Sequence, residues 1–379
     1  MNMKTTKDLL NDFQYTRNLK KETVMRYATS IRLYENFNEM SMIDLLNEAE
    51  HEEENGTRWK YRTLKKRLLN FRTFLNQNYK KNYAKITLTR IITVYTHYEL
   101  EVHKLPPVSS KNYIESTPIT YSDLPDKEVI RNAYNLANNQ MKAVILFMSS
   151  SGCARAETLN ITIKDFIEAT REYHNKDNIL DVLNVLKELD DVIPTFKVKR
   201  VKTGKYYYTF CSPEAVREIV NYLLSERIET IAGKQKAFRL NDEDKLFNKS
   251  IQTMNRDFQD LNDTLQLGKR GGFNRLRSHM LRKFHASALK NNGMDKYDVN
   301  SLQGKGLNST DEAYFFDDPK VLKEKFLEHL EAVTILGDVD VVSIKSPEFI
   351  NLEMENKRLR KKEGELLDIY KRLEALENK

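Results

Sequence analysis

The first 104 residues contain no proline and a single glycine, Gly56. Proline removes a helical hydrogen bond and glycine adds chain entropy, so a stretch this free of both lets helices run to their natural length. The apolar residues keep the matching rhythm. In "RWKYRTLKKRLLNFRTFLNQNY", Tyr61, Leu64, Leu68, Phe71 and Leu75 recur at helical spacing, while Arg58, Arg62, Lys65, Lys66 and Arg72 lie mostly off that stripe. The pattern predicts a bundle of four or so helices over residues 1–104, with Trp59 and Tyr61 in its core and the five cations on a basic outer face.

The breakers arrive together. "KLPPVSSKNYIESTP" holds three prolines and three serines without periodicity, and residues 105–118 read as a linker. A second domain is expected over 119–340. There "NQMKAVILFMSSSG" is an apolar helix ending at a small-residue turn, "IPTFKVKRVKTGKYYYTFCSP" alternates around a glycine turn as a hairpin does, and helices resume near Pro213. From 341 to 379, Leu352, Leu359, Leu366 and Leu373 repeat every seven residues, with Ile369 and Leu376 at the heptad's other apolar position, which predicts an amphipathic C-terminal helix of coiled-coil type. The fold class is therefore multidomain and mainly α with a small β-hairpin or sheet: a helical bundle, then a helix-rich α/β domain, then the heptad helix.

With 40% hydrophobic and 31% charged residues, the chain is globular rather than disordered. No apolar run approaches the roughly 20 residues of a membrane span, and "MNMKTTKDLL" lacks a signal-peptide core, so a cytoplasmic, membrane-free protein is expected. Cys153 and Cys211 give neither a disulfide framework nor zinc spacing. The net charge of +7 is modest but unevenly spread. Thr57–Tyr98 carries 11 Lys or Arg and no acid, Glu39–Glu54 carries seven acids and no Lys or Arg, and Thr264–Lys290 carries seven Lys or Arg and no acid. Two long acid-free stretches suit a polyanion such as double-stranded DNA, because each neutralised phosphate releases counterions. Arg58, Arg62, Lys65, Lys66 and Arg72 are the candidate DNA contacts.

The second domain holds a polar set without a carboxylate metal cluster, a P-loop or a dinucleotide turn: Arg155 in "SGCARAETLNI", Lys202 in "KTGK", His279 and Arg282 in "SHMLRKFHASAL", Lys305 in "LQGKGL" and Tyr314 in "EAYFF". At 100° per residue, Leu281, Phe284 and Ala288 share the apolar side of one helix, His279 and Arg282 point away from it, and His285 falls near the apolar side as a structural residue. Guanidinium groups grip phosphate oxygens bidentately, a tyrosine hydroxyl can attack phosphorus, a lysine on a hairpin can protonate a departing oxygen, and a histidine can move a proton. No metal and no cofactor is called for. Cys153 reads as a packed small residue, and Lys205 rivals Lys202 as the hairpin lysine.

In this order and spacing the residues resemble the tyrosine recombinase (phage-integrase) family, with an archaeal flavour, across about residues 119–320. The Gly-x-Arg box with its following Glu and Leu is similar to "SGCARAETLNI", the His-x-x-Arg box to His279 and Arg282, and the Leu-Gly-His box nine residues before the nucleophile to Gly304, Lys305 and Tyr314. The resemblance implies catalytic roles for Arg155, Lys202, His279, Arg282, Lys305 and the nucleophile Tyr314. It also implies a covalent 3′-phosphotyrosyl intermediate, and assembly of four protomers on DNA to integrate or excise a mobile element such as an archaeal virus or plasmid, with room for an accessory protein. Such a protein would be nucleoid-associated. Three features depart from the pattern: an extra residue between Gly152 and Arg155, which brings Glu157 one position nearer the arginine; Lys305 where His or Trp is usual; and the heptad tail. A type IB topoisomerase-like relaxing enzyme, or a DNA-binding regulator on an impaired scaffold, are the alternatives.

Overall fold

The computed structural model describes residues 5–108, 118–231, 234–237, 240–305 and 318–337, with 359 and 363. The chain divides into two compact units, Met1–Pro118 and Ile119–Lys379.

Among the described residues the first unit has five α-helices: α1 (Thr6–Thr16), α2 (Lys21–Asn38), α3 (Met42–Glu54), α4 (Thr63–Asn78) and α5 (Lys81–His97). Thr5 and Asp8 close a reciprocal cap on α1, and Ser41 caps α3, so donors that the helix itself leaves unpaired are satisfied locally. Leu64, Leu68, Phe71 and Leu75 of α4 are all buried, each contributing about 1.5–3 kcal/mol, against Phe13, Tyr34, Leu45 and Tyr95.

Two expectations for this unit are corrected. Tyr61 is 63% exposed rather than core, because α4 begins only at Thr63 and Tyr61 belongs to the preceding 3₁₀ turn, out of phase with the stripe; Trp59 is half-buried against the core. Arg62 is not on an outer face. It is 5% exposed, its Nη1 donates to Glu53 at 3.0 Å and its Nε to the Thr57 carbonyl at 2.8 Å, so it staples the end of α3 to the start of α4. Arg67 likewise pairs with Glu48 at 2.7 Å. The acidic and basic blocks, consecutive in sequence, thus lie on adjacent helices and neutralise part of each other. Arg58 and Lys66 remain exposed; Lys65 and Arg72 are half-buried, with Arg72 donating to the Pro106 carbonyl at 2.5 Å.

The second unit is built on α7 (Asn139–Ser151), whose residues are buried almost throughout. Asn138 caps its start, and Gly152 ends it in the left-handed region at φ 65°, which a glycine reaches without strain. Packed on α7 are α6 (Lys127–Leu136), α11 (Pro213–Tyr222) and α13 (Ser278–Asn291). Between α6 and α11 in sequence come α8 (Arg155–Thr158), α9 (Ile163–Ala169), α10 (Ile179–Leu186) and an antiparallel hairpin. Its strands β1 (Thr195–Lys199) and β2 (Tyr206–Phe210) pair Thr195 with Phe210 and Lys199 with Tyr206, burying Phe196 and Val198. Gly204 holds the turn at φ 74°, and Pro213 opens α11 at a position that needs no N–H.

The sequence pattern does not announce two further hairpins: β3 (Ile228–Ile231) with β4 (Lys234–Ala237), and β5 (Lys269–Arg270) with β6 (Phe273–Asn274) around two glycines. Both are short and lack a clean alternation, which is why period-2 patterning does not expose them. Among the described residues the unit also has helices α12 (Ile251–Thr264), α14 (Lys296–Leu302), α15 (Pro319–Glu328) and α16 (Leu330–Val333). The observed fold is helix-rich with small antiparallel sheets, the class expected. Tyr314 and, apart from Leu359, the heptad leucines lie outside the described residues.

Candidate active site

Both sides of α13 are in use. Leu281, Phe284, His285 and Leu289 pack inward, while His279 at the first turn is part-shielded and keeps access to solvent. Arg282 is different from what its place opposite the stripe implies: it is only 7% exposed. Its Nη1 donates to the Gly152 carbonyl at 2.6 Å and to Glu157 Oε2 at 3.3 Å, and its Nη2 donates to the Gln303 carbonyl at 2.5 Å. The planar guanidinium fork thereby ties together the end of α7, the short α8 and the end of α14.

Glu157 is the hub of that arrangement. Oε2 also accepts from the Tyr207 hydroxyl at 2.9 Å and from the Ala154 N–H at 2.8 Å, so the buried carboxylate is neutralised by one cation and solvated by two donors. Burial first, then Cys153 and Glu157 nearby, push the Tyr207 phenol far above its ordinary value and keep it a donor. Burial pushes the Cys153 thiol up to about 11, which makes it a packing group. On the other side of Arg282, Gln303 Nε2 donates to the Arg282 carbonyl at 2.9 Å and to His285 Nδ1 at 3.0 Å. Burial, with Arg282 and Lys305 beside it, pulls His285 down to about 3, so this ring is neutral and structural.

His279, Arg282, Lys283, Gln303 and Lys305 line one side of a cleft of about 390 Å³ whose other wall includes Thr120 and Tyr121. Partial burial, then Arg277, Lys283, Arg282 and Lys305, hold the His279 imidazole below its ordinary value, leaving it neutral at neutral pH. Lys305 is lowered by partial burial and by Arg282 and Arg200. Nε and one Nη2 hydrogen of Arg282 have no partner among the described residues, and Arg282 lines the cleft, so an anion's oxygens could be met there. A larger cleft of about 630 Å³, between the start of α6 and the second half of α13, mixes Asp126, Glu128, Lys127 and Arg275 without a comparable convergence.

Of the six residues singled out in the sequence, the structure brings His279, Arg282 and Lys305 to one cleft. Arg155 does not line it: at the first position of α8, its Nη1 bonds Asn255 Oδ1 on α12, and its Nε is buried with no partner among the described residues. Lys202 lies on the fully exposed turn of the β1–β2 hairpin. Tyr314 falls outside the described residues. Sequence reasoning missed Gln303, Tyr207 and Arg200, which hold the site together. Arg200 sits in the run "KVKRVK", where any one cation looks like solvated surface, and only Gln303's place beside Lys305 could have drawn notice. Among the described residues no group of His, Cys, Asp and Glu could hold a metal ion, and no helix is long and apolar enough to cross a membrane.

No family model and no curated protein matches the chain. Solved structures similar to it include XerA recombinase, at 17% identity over 85% of this chain and 96% of that one with a TM-score of 0.34. A post-cleavage complex of XerH site-specific recombinase with palindromic difH substrate is similar at 13% identity over 84% of this chain and 83% of that one, TM-score 0.48. The integrase from mycobacterium phage Brujita is similar at 15% identity over 89% and 98%, TM-score 0.36. These three structures are of two recombinases and an integrase.

Proposed function

We propose that the chain is a tyrosine recombinase: a site-specific enzyme that cuts and rejoins double-stranded DNA through Tyr314, integrating or excising a mobile element. The observation that supports this reading best is the convergence of His279, Arg282 and Lys305 on one cleft, with Arg282 clamped in place by Glu157. Donors fixed before the reaction stabilise developing charge without reorganising, which is worth about 2.7–4 kcal/mol for one such group.

The Tyr314 oxygen attacks the scissile phosphorus, forming a phosphotyrosyl bond as the bond from phosphorus to the 5′ oxygen breaks. The neutral His279 takes the phenolic proton, and Lys202 on the hairpin turn gives a proton to the departing 5′ oxygen. Arg282 and Lys305 meet the non-bridging oxygens, and Arg155 joins them by exchanging Asn255 for phosphate. Attack by a 5′ hydroxyl on the phosphotyrosine reverses each step, so the bond energy is conserved and no cofactor is consumed. Exposed Arg58 and Lys66, with Lys65 and Arg72, supply phosphate contacts from the first unit. Exchange between two duplexes calls for four protomers.

The test uses the full-length chain and duplexes it enriches from a random-sequence pool. Two such duplexes of different length, and a supercoiled plasmid carrying the same sequence, are incubated with it. New joint molecules support recombination; a change in linking number without joints points to a topoisomerase-like enzyme; binding without either points to a regulator.

A further inference from the structure

The carbonyls of Gln303 and Gly304 are gripped from two sides. Arg282 Nη2 donates to the Gln303 carbonyl at 2.5 Å, and Arg200 Nη1 donates to the Gly304 carbonyl and, at 3.4 Å, to that of Gln303. Gly304 also sits against β2: a Cβ there would come within 2.4 Å of the Tyr207 ring, at a φ of 56°. Arg200 has a second task through its main chain. Its N–H donates to the Lys205 carbonyl and its carbonyl accepts from the Gly204 N–H, both at 2.8 Å, which closes the exposed turn that carries Lys202. One residue therefore joins the base of the lysine turn to the peptide immediately before Lys305.

We propose that Arg200 is a positioning residue for leaving-group protonation: by bonding the Gln303 and Gly304 carbonyls it sets where the hairpin turn, and with it Lys202, stands relative to the cleft of His279, Arg282 and Lys305. This rests on the recombinase reading above. The clamp on Arg282 does not include the Arg200 side chain. Loss of the Arg200 side chain leaves Gly152, Glu157 and Gln303 still holding Arg282, so phosphate binding and tyrosine attack persist while proton delivery to the 5′ oxygen becomes unreliable. Arg200 itself need not touch DNA.

Leaving-group chemistry separates this role from a merely structural one. A 5′-bridging sulfur departs as a thiolate, whose conjugate acid has a pKa of about 8.5, and needs no general acid. The full-length protein, Arg200→Gln, Arg200→Lys and Lys202→Ala are each given two nicked duplexes of one enriched sequence, one all-oxygen and one with sulfur at the 5′-bridging position, and covalent adduct is timed. Arg200→Gln is expected to slow on the oxygen duplex by about 10²-fold, the lower end of what a positioned proton donor contributes, and to react with the sulfur duplex within about threefold of the parent. Lys202→Ala gives the same pattern, and Arg200→Lys, which keeps one donor and the charge, falls between. Equal slowing on both duplexes, or no slowing on oxygen, overturns the proposal for Arg200. Absence of adduct from the parent protein on both duplexes overturns the recombinase reading and the proposal with it, so the two failures look different.

Discussion

Arg282 and Glu157 meet at 3.3 Å in the interior of the second unit, with side chains 9% and 5% exposed. An ion pair this deep fixes a guanidinium at the edge of a cleft, and each partner is costly without the other. Glu157→Ala leaves Arg282 buried and uncompensated, and strips the Tyr207 hydroxyl of its acceptor. The expected loss is about 3–5 kcal/mol, read as a lower urea midpoint. Glu157→Gln keeps an acceptor for Tyr207 and should cost distinctly less.

The close approach at Gly152 carries its own consequence. A Cβ there would sit 2.4 Å from His285 Nδ1 at a φ of 65°. Gly152→Ala must therefore displace a buried ring as well as strain the backbone, for a combined loss of about 2–4 kcal/mol in thermal unfolding. Gly204→Ala, with open space around its Cβ, meets only the backbone strain and should lose about 1–2 kcal/mol.

Two histidines on α13 respond to acid in different ways. His285, held near 3 by burial, is neutral in the fold and would charge near 6.5 when unfolded. Its contribution to stability is complete above pH 6.5 and is lost as pH falls from there toward 3, so urea midpoints should decline over that window. His279 is lowered by partial burial and four neighbouring cations, so the acid limb of cleavage should lie below the ordinary histidine value. Lys283→Ala removes one of those charges, and the limb should move to higher pH. An unmoved limb would assign the proton transfer to another group.

In the first unit, stability and DNA binding should separate by residue. Arg62→Ala breaks a largely buried pair with Glu53, itself one-third exposed, and should cost about 2–3 kcal/mol. Arg58→Ala and Lys66→Ala, at exposed positions, should leave the unfolding midpoint unchanged and lower the slope of log affinity against log salt by about 1 each.

What the sequence disclosed follows from which forces are local. The α7 helix with its Gly152 stop, the β1–β2 hairpin and the helical first unit were legible because apolar period and turn chemistry are written within ten or so residues. His279, Arg282 and Lys305 were legible because their spacing is. The burial of Arg62 and of Arg282 was not, since each depends on an acid supplied by another segment, Glu53 and Glu157. The same is true of Arg200, whose acceptors lie about a hundred residues onward. Lateral pairing of the acidic block with the basic block also escaped the charge count, which sees runs and not faces.

The proposed recombination requires a covalent bond from Tyr314 to DNA. The most direct measurement is mass spectrometry of the protease-digested adduct from a nicked duplex, run beside Tyr314→Phe. A nucleotide-bearing peptide centred on Tyr314, with DNA bound but no adduct formed by the Phe variant, is the predicted result. Adduct formation by Tyr314→Phe, or a nucleotide carried on any other residue, would contradict the account.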